Sequence, residues 1–197
     1  MTRDNILLLG IGNLLCADEG FGVRAVQELH RQWRFPEQVT LLDGGTQGVK
    51  LLPHMQSAQL MIVFDAMDCG LAPGAVRVLA NEQVPRFLGA NKLSLHQTGF
   101  QEVLALAALT GNYPDELVLI GVQPADIRDY GGPLSAVVKA RIPTALAIAL
   151  SRLRRWGCMA EARGGESAGV EAILPASLAM DGFEAPAYRS GSPLQAC

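Results

Sequence analysis

The stretch Ile6-Leu7-Leu8-Leu9-Gly10-Ile11-Gly12-Asn13-Leu14-Leu15-Cys16-Ala17-Asp18-Glu19-Gly20-Phe21-Gly22 decides the fold. Ile6–Leu9 is a short, continuous apolar run closed by Gly10-Ile11-Gly12-Asn13. That is the pattern of a strand covered on both faces, as in parallel sheets. Beyond the loop, Val23, Val26, Leu29 and Trp33 recur at helical spacing, with Arg24, Glu28, Arg31 and Arg34 elsewhere. This predicts an amphipathic helix starting near Gly20.

The same alternation continues down the chain. Val39–Leu42 reads as a second strand, stopped by Asp43-Gly44-Gly45, and Val49–Met55 as a short helix. Leu60–Phe64 reads as a third strand, ending at Asp65. Ala75–Leu79 follows Pro73-Gly74 after a connection too short for a crossover helix, so this strand is expected to run antiparallel. Thr98 and Gln101 have capping-box spacing and predict a helix from Thr98 to about Thr110. Leu117–Val122 reads as another strand, and Pro133 as the start of a long last helix reaching about Arg154. Strands alternating with helices predict an α/β fold: a three-layer sandwich, its mostly parallel twisted sheet of about five strands covered by helices on both faces. The expected domain spans residues 1–156. Residues 157–197 are rich in Gly, Pro, Ala and Ser and lack a sustained period. They are expected to form a flexible tail, with a short helix near Ile173–Leu178.

Of the 197 residues, 49% are hydrophobic and 18% charged, enough apolar material for one packed domain and too much for wholesale disorder. A net charge of −3 and the lack of a Lys/Arg block argue against nucleic-acid binding. The longest apolar runs, such as Ile142–Leu150, fall short of the ~20 residues that span a bilayer. No signal-peptide pattern precedes the first strand. Cys16, Cys69, Cys158 and Cys197 are far apart with no CxxC pair, which argues against a disulfide framework and fits a reducing cytoplasm.

In α/β sheets, ligands bind beyond the carboxyl ends of the strands. Three carboxylates are expected there: Glu19 in the first loop, Asp43 after the second strand and Asp65 after the third. Asp43-Gly44-Gly45 is also a natural turn, whereas Asp65 is followed by Ala66-Met67, a poor one. Asp18 reads most simply as a helix cap. His96 stands just ahead of the helix expected at Thr98, where the positive helix end favours a neutral ring able to bind a metal. His30 and His54 read as surface or boundary residues. Glu, Asp and His with open coordination positions suit a borderline or hard divalent ion. The spacings are long and scattered, and the residues alone lead no further than a carboxylate–histidine crevice in a cytosolic α/β protein.

Other chemistries fit less well. A dinucleotide loop needs a third glycine where Leu15 stands, and Asp18 with Glu19 would repel a pyrophosphate at the helix start, so no nucleotide is expected. No Gly-x-Ser-x-Gly elbow occurs, and Cys16 has no base partner in the sequence.

The pattern Gly10-x-Gly12-Asn13-x-Leu15-x-x-Asp18-Glu19-Gly20-x-Gly22 closely resembles the maturation endopeptidases of nickel–iron hydrogenases. The resemblance continues through Leu42-Asp43-Gly44-Gly45-Thr46, Phe64-Asp65-Ala66, Pro73-Gly74, Ser94-Leu95-His96-Gln97 and Ile120-Gly121-Val122-Gln123-Pro124. It implies an endopeptidase, aspartic-type or metal-dependent, that removes a short C-terminal extension from a hydrogenase large-subunit precursor after nickel insertion. It further implies that Glu19, Asp65 and His96 contact nickel, which arrives in the precursor rather than being held permanently. Asp43 is implied as a further functional position. On this reading substrate-bound nickel is the recognition element, and about 1.4 kcal/mol of preference for loaded precursor gives tenfold discrimination. The expected partner is the large-subunit precursor, and a cytoplasmic monomer is expected. The alternative is a non-proteolytic, nickel-sensing escort of the precursor using the same three residues.

Overall fold

The computed structural model describes residues 4–90, 95–164 and 180. In chain order the elements are β1 (Ile6–Ile11), α1 (Phe21–Gln32), β2 (Trp33–Arg34), β3 (Val39–Gly45), α2 (Leu52–Gln56), β4 (Leu60–Ala66), β5 (Val76–Ala80), α3 (Gln83–Ala90), α4 (Leu95–Leu109), β6 (Glu116–Val122), α5 (Ala136–Lys139), α6 (Ile142–Arg155) and β7 (Glu161–Ala162). Five of these strands form one sheet in the order β3-β1-β4-β6-β5. β3, β1, β4 and β6 are parallel, and β5 runs antiparallel at the edge, as the short Pro73-Gly74 connection requires.

Strand alternation divides the side chains between two cores. Leu8, Ile62, Phe64 and Ile120 pack with Phe21, Val26 and Leu29 of α1 and Leu146 and Leu153 of α6. Leu7, Leu9, Val63 and Leu119 pack with Met55 of α2, Val84 and Leu88 of α3, and Phe100, Val103 and Leu104 of α4. Both faces are covered, which is why β1 reads as an unbroken apolar run. The result is the expected three-layer α/β sandwich. Among the described residues no helix is long and apolar enough to cross a membrane.

The first loop and α1 approach the sheet closely. A Cβ at Gly22 would collide with the carbonyl oxygens of Phe64 and Ile11, so only glycine lets the start of α1 rest on the ends of β1 and β4. Gly12 sits at φ +132, a conformation L-residues rarely adopt, against the Glu19 carbonyl.

Several local expectations are corrected. Trp33 leaves α1 and enters β2. Arg24, expected on the polar face of α1, is 3% exposed. α4 begins at Leu95, so Thr98 lies inside the helix and does not cap it, and His96 and Gln97 belong to its first turn. The last helix is broken into α5 and α6, because Pro143 has no N–H to offer the carbonyl of Lys139. Packed structure continues past Trp156: Cys158 is buried, β7 pairs antiparallel with β2, and Arg163 Nε donates to the carbonyls of His30 and Trp33 at 3.0 and 2.9 Å. Met180 packs against the α1–α6 core. The short helix expected near Ile173–Leu178 lies outside the described residues.

Candidate active site

Three elements converge at the carboxyl end of the sheet. Glu19 lies in a 3-10 turn, Ala17–Gly20, between β1 and α1. Asp65 is the penultimate residue of β4, one beyond Phe64, which pairs with Gly10. His96 is the second residue of α4. The exposures of Glu19, Asp65 and His96 are 8%, 0% and 7%. His96 Nε2 lies 3.1 Å from Asp65 Oδ1, and His96 Nδ1 lies 3.7 Å from Glu19 Oε2. The imidazole therefore stands between the two carboxylates, one at each ring nitrogen.

Gln97 fixes this arrangement from behind. Its Nε2 donates to Asp65 Oδ2 at 2.7 Å and to the Ala66 carbonyl at 2.9 Å, and the side chain is almost fully buried. Both oxygens of Asp65 are thus engaged, and its carboxylate is locked in orientation.

Burial raises the Glu19 pKa above its ordinary range; the His96 charge opposes this and the Asp65 charge reinforces it. For His96, burial favours the neutral ring, but the Asp65 hydrogen bond and charge, with the Glu19 charge, outweigh it and raise the pKa. The two flanking carboxylates thus act against the helix end and the burial, which favour the neutral ring. Among the described residues no group of three or more His, Cys, Asp or Glu side chains forms a ready cage for a metal ion. In the structure Glu19 and Asp65 face opposite nitrogens of His96.

Asp43 occupies a different place. In the sheet register it pairs with Gly10, which pairs with Phe64, so Asp43 and Asp65 stand two strands apart, about 9–10 Å by strand spacing. Alternation turns Asp43 towards α1, and its carboxyl feels the charge of Arg24 there. Burial raises its pKa, while the Gly45 N–H and Arg24 oppose the rise. Among the described residues no hydrogen bond or ion pair joins Asp43 to Glu19, Asp65 or His96.

Known proteins share this sequence and architecture. The sequence profile described as hydrogenase maturation protease (HycI) matches residues 23–152. A hydrogenase expression/formation protein, HupM of Azotobacter chroococcum mcd 1, is 55% identical over 196 residues, covering 96% of this chain and 92% of that one. The HoxM protein of Azotobacter vinelandii, described in the same words, is 54% identical, covering 97% and 94%. The chain belongs to the hydrogenase maturation protease family. Among solved structures, the hydrogenase maturating endopeptidase HybD of E. coli superposes with a TM-score of 0.77 at 39% identity, covering 81% of this chain and 98% of that one. The protein is therefore a peptidase of that family.

Within this hydrogenase maturation protease, three side chains at the site escaped sequence reading. Gln97 stands in the Ser94-Leu95-His96-Gln97 motif without an assigned role, and its bond to Asp65 supplies one. Arg24 is buried, donating to Gln27 Oε1 at 3.0 Å, although its helical position reads as solvent-facing. Asp18 does not cap α1: its fully buried carboxylate accepts hydrogen bonds from Ala125, Asp126 and Ser135. Cys16 keeps a packing role, its Sγ accepting from Asn13 Nδ2 at 3.1 Å.

Proposed function

We propose that this protease removes the C-terminal extension of a nickel–iron hydrogenase large-subunit precursor once nickel has been inserted. In this reading the precursor's nickel is part of the substrate and its recognition element. Glu19, Asp65 and His96 complete the open coordination positions of that ion, and Gln97 holds Asp65 in register. The observation that carries the reading is the convergence of two carboxylates, Glu19 and Asp65, on the His96 imidazole at the carboxyl end of the sheet.

The chemistry follows from the donor set. A metal-loaded precursor offers an ion beside its scissile bond for these side chains to meet, an interaction an empty precursor lacks, so binding favours the loaded form. Hydrolysis needs an activated water, and both a Lewis-acidic ion and neighbouring carboxylates are at hand. Asp43, with its pKa raised by burial, is the further carboxylate at this end of the sheet suited to proton transfer. The protein acts as a cytoplasmic monomer on this one partner.

The test is mass spectrometry of nickel-loaded precursor incubated with the pure protein. A C-terminally shortened precursor is expected. An intact precursor that remains stably bound would replace cleavage by the escort function.

A further inference from the structure

We infer that Asp18 is a positioning residue that sets where Glu19 meets the substrate; the inference rests on the proposed role of Glu19. Asp18 is fully buried, and four donors from a distant segment converge on its carboxylate. Ser135 N donates to Oδ1 at 2.7 Å. Ala125 N, Asp126 N and Ser135 Oγ donate to Oδ2 at 2.8, 3.0 and 2.9 Å. The Asp18 N–H in turn donates to the Asp126 carbonyl at 3.0 Å. Around this point Gly131 N donates to the Leu15 carbonyl at 2.7 Å, and Cys16 bridges to Tyr130. The opening loop and the β6–α5 connection are thus one clamped unit, with Asp18 at its centre.

Glu19 is the next residue of the same one-turn helix, and its own N–H is tied to the Cys16 carbonyl at 3.0 Å. The two side chains diverge: Asp18 reaches into the clamp, and Glu19 reaches His96. A single turn has no slack, so the clamp that holds Asp18 fixes the backbone carrying Glu19. Helix capping is not the task of Asp18, since its acceptor capacity is spent on residues more than a hundred positions away. A buried carboxylate with four donors is a charged hub whose loss forces local rearrangement.

Asp18→Asn tests this. Whichever way the amide turns, its NH2 faces at least one donor that the carboxylate had satisfied. Two quantities are measured below the melting transition: kcat/KM on nickel-loaded precursor, and Kd for nickel-free precursor. The expected result is roughly a tenfold loss in kcat/KM with nickel-free binding within about twofold of wild type. Asn81→Ala serves as the control for destabilisation alone. It removes the acceptor of Leu117 N at the far end of the sheet, and it should lower Tm with kcat/KM unchanged. Glu19→Gln separates the two ideas. If Glu19→Gln processes normally, the proposed site is wrong; if Glu19→Gln is impaired while Asp18→Asn keeps wild-type kcat/KM, the positioning role is wrong. An equal loss in both measured quantities for Asp18→Asn would likewise reduce Asp18 to a purely structural group. Should Asp18→Asn not fold, Ser135→Ala removes only the Oγ bond. It should lower kcat/KM by about threefold without altering nickel-free binding, and wild-type kcat/KM there overturns the inference.

Discussion

Replacing Gln97 by Leu isolates the support behind the candidate site. The two side chains are close in size, so little cavity forms, and the change falls on hydrogen bonding. Two bonds from Gln97 Nε2 disappear: one to Asp65 Oδ2 at 2.7 Å and one to the Ala66 carbonyl at 2.9 Å. A bond to a charged acceptor contributes about 1.5–3 kcal/mol, and a neutral one about 0.5–1.5. Asp65 is wholly buried, so water cannot replace the lost donor. The expected destabilisation is about 2–4 kcal/mol, which in a domain of this size lowers Tm by roughly 5–15 °C. The assay is a thermal melt followed by circular dichroism, beside cleavage of the precursor well below the transition. Cleavage should also fall, because Asp65 is free to turn away from His96. A melt within about 1 °C of wild type would refute the reasoning, since it would mean that the buried carboxylate does not depend on Gln97.

Three further outcomes follow from the same geometry. Gly22→Ala should abolish soluble, folded protein, because its Cβ meets the Phe64 and Ile11 carbonyls; a wild-type melt would contradict that close approach. Glu19→Gln should lose processing yet melt no lower than wild type at pH 7, since burial raises the Glu19 pKa and disfavours the ionised form the fold must carry there; a clear drop in Tm would contradict this. His96 links pH to stability and activity with opposite signs. Its raised pKa means that its stabilising contribution is complete below its ordinary 6.5 and lost as pH rises through the folded-state value, whereas a ring that must bind metal is free to do so only above that value. Tm differences between wild type and His96→Gln should therefore shrink as pH rises while wild-type kcat/KM grows, and parallel changes in both would contradict the assignment.

Much of the architecture was legible because both-face burial leaves a plain signature. The apolar runs at Ile6–Leu9, Leu60–Phe64 and Leu117–Val122 mark central strands, and the carboxyl-end rule then points to Glu19 and Asp65. Other features depend on partners remote in the chain. Asp18 looked like a cap because its donors lie 107 to 117 residues further on. Arg24 looked solvent-facing because helical spacing says nothing of the Asp43 carboxylate brought over it by the neighbouring strand. Asp43 ends its strand just as Asp65 does, but only the sheet register reveals that they point to opposite faces. α3 leaves a weak signature in the sequence because Pro85 and Gly89 punctuate it, although Val84 and Leu88 bury one turn apart. The capping-box spacing at Thr98 points to a start there, whereas α4 already includes His96 and Gln97.

The most direct measurement is X-ray absorption at the nickel edge of loaded precursor, recorded alone and frozen immediately after mixing with the protease. The account predicts that the nickel's shell gains light-atom ligands with an imidazole signature on mixing, and that His96→Ala removes that signature. A nickel spectrum identical before and after mixing with a binding-competent protease would contradict it.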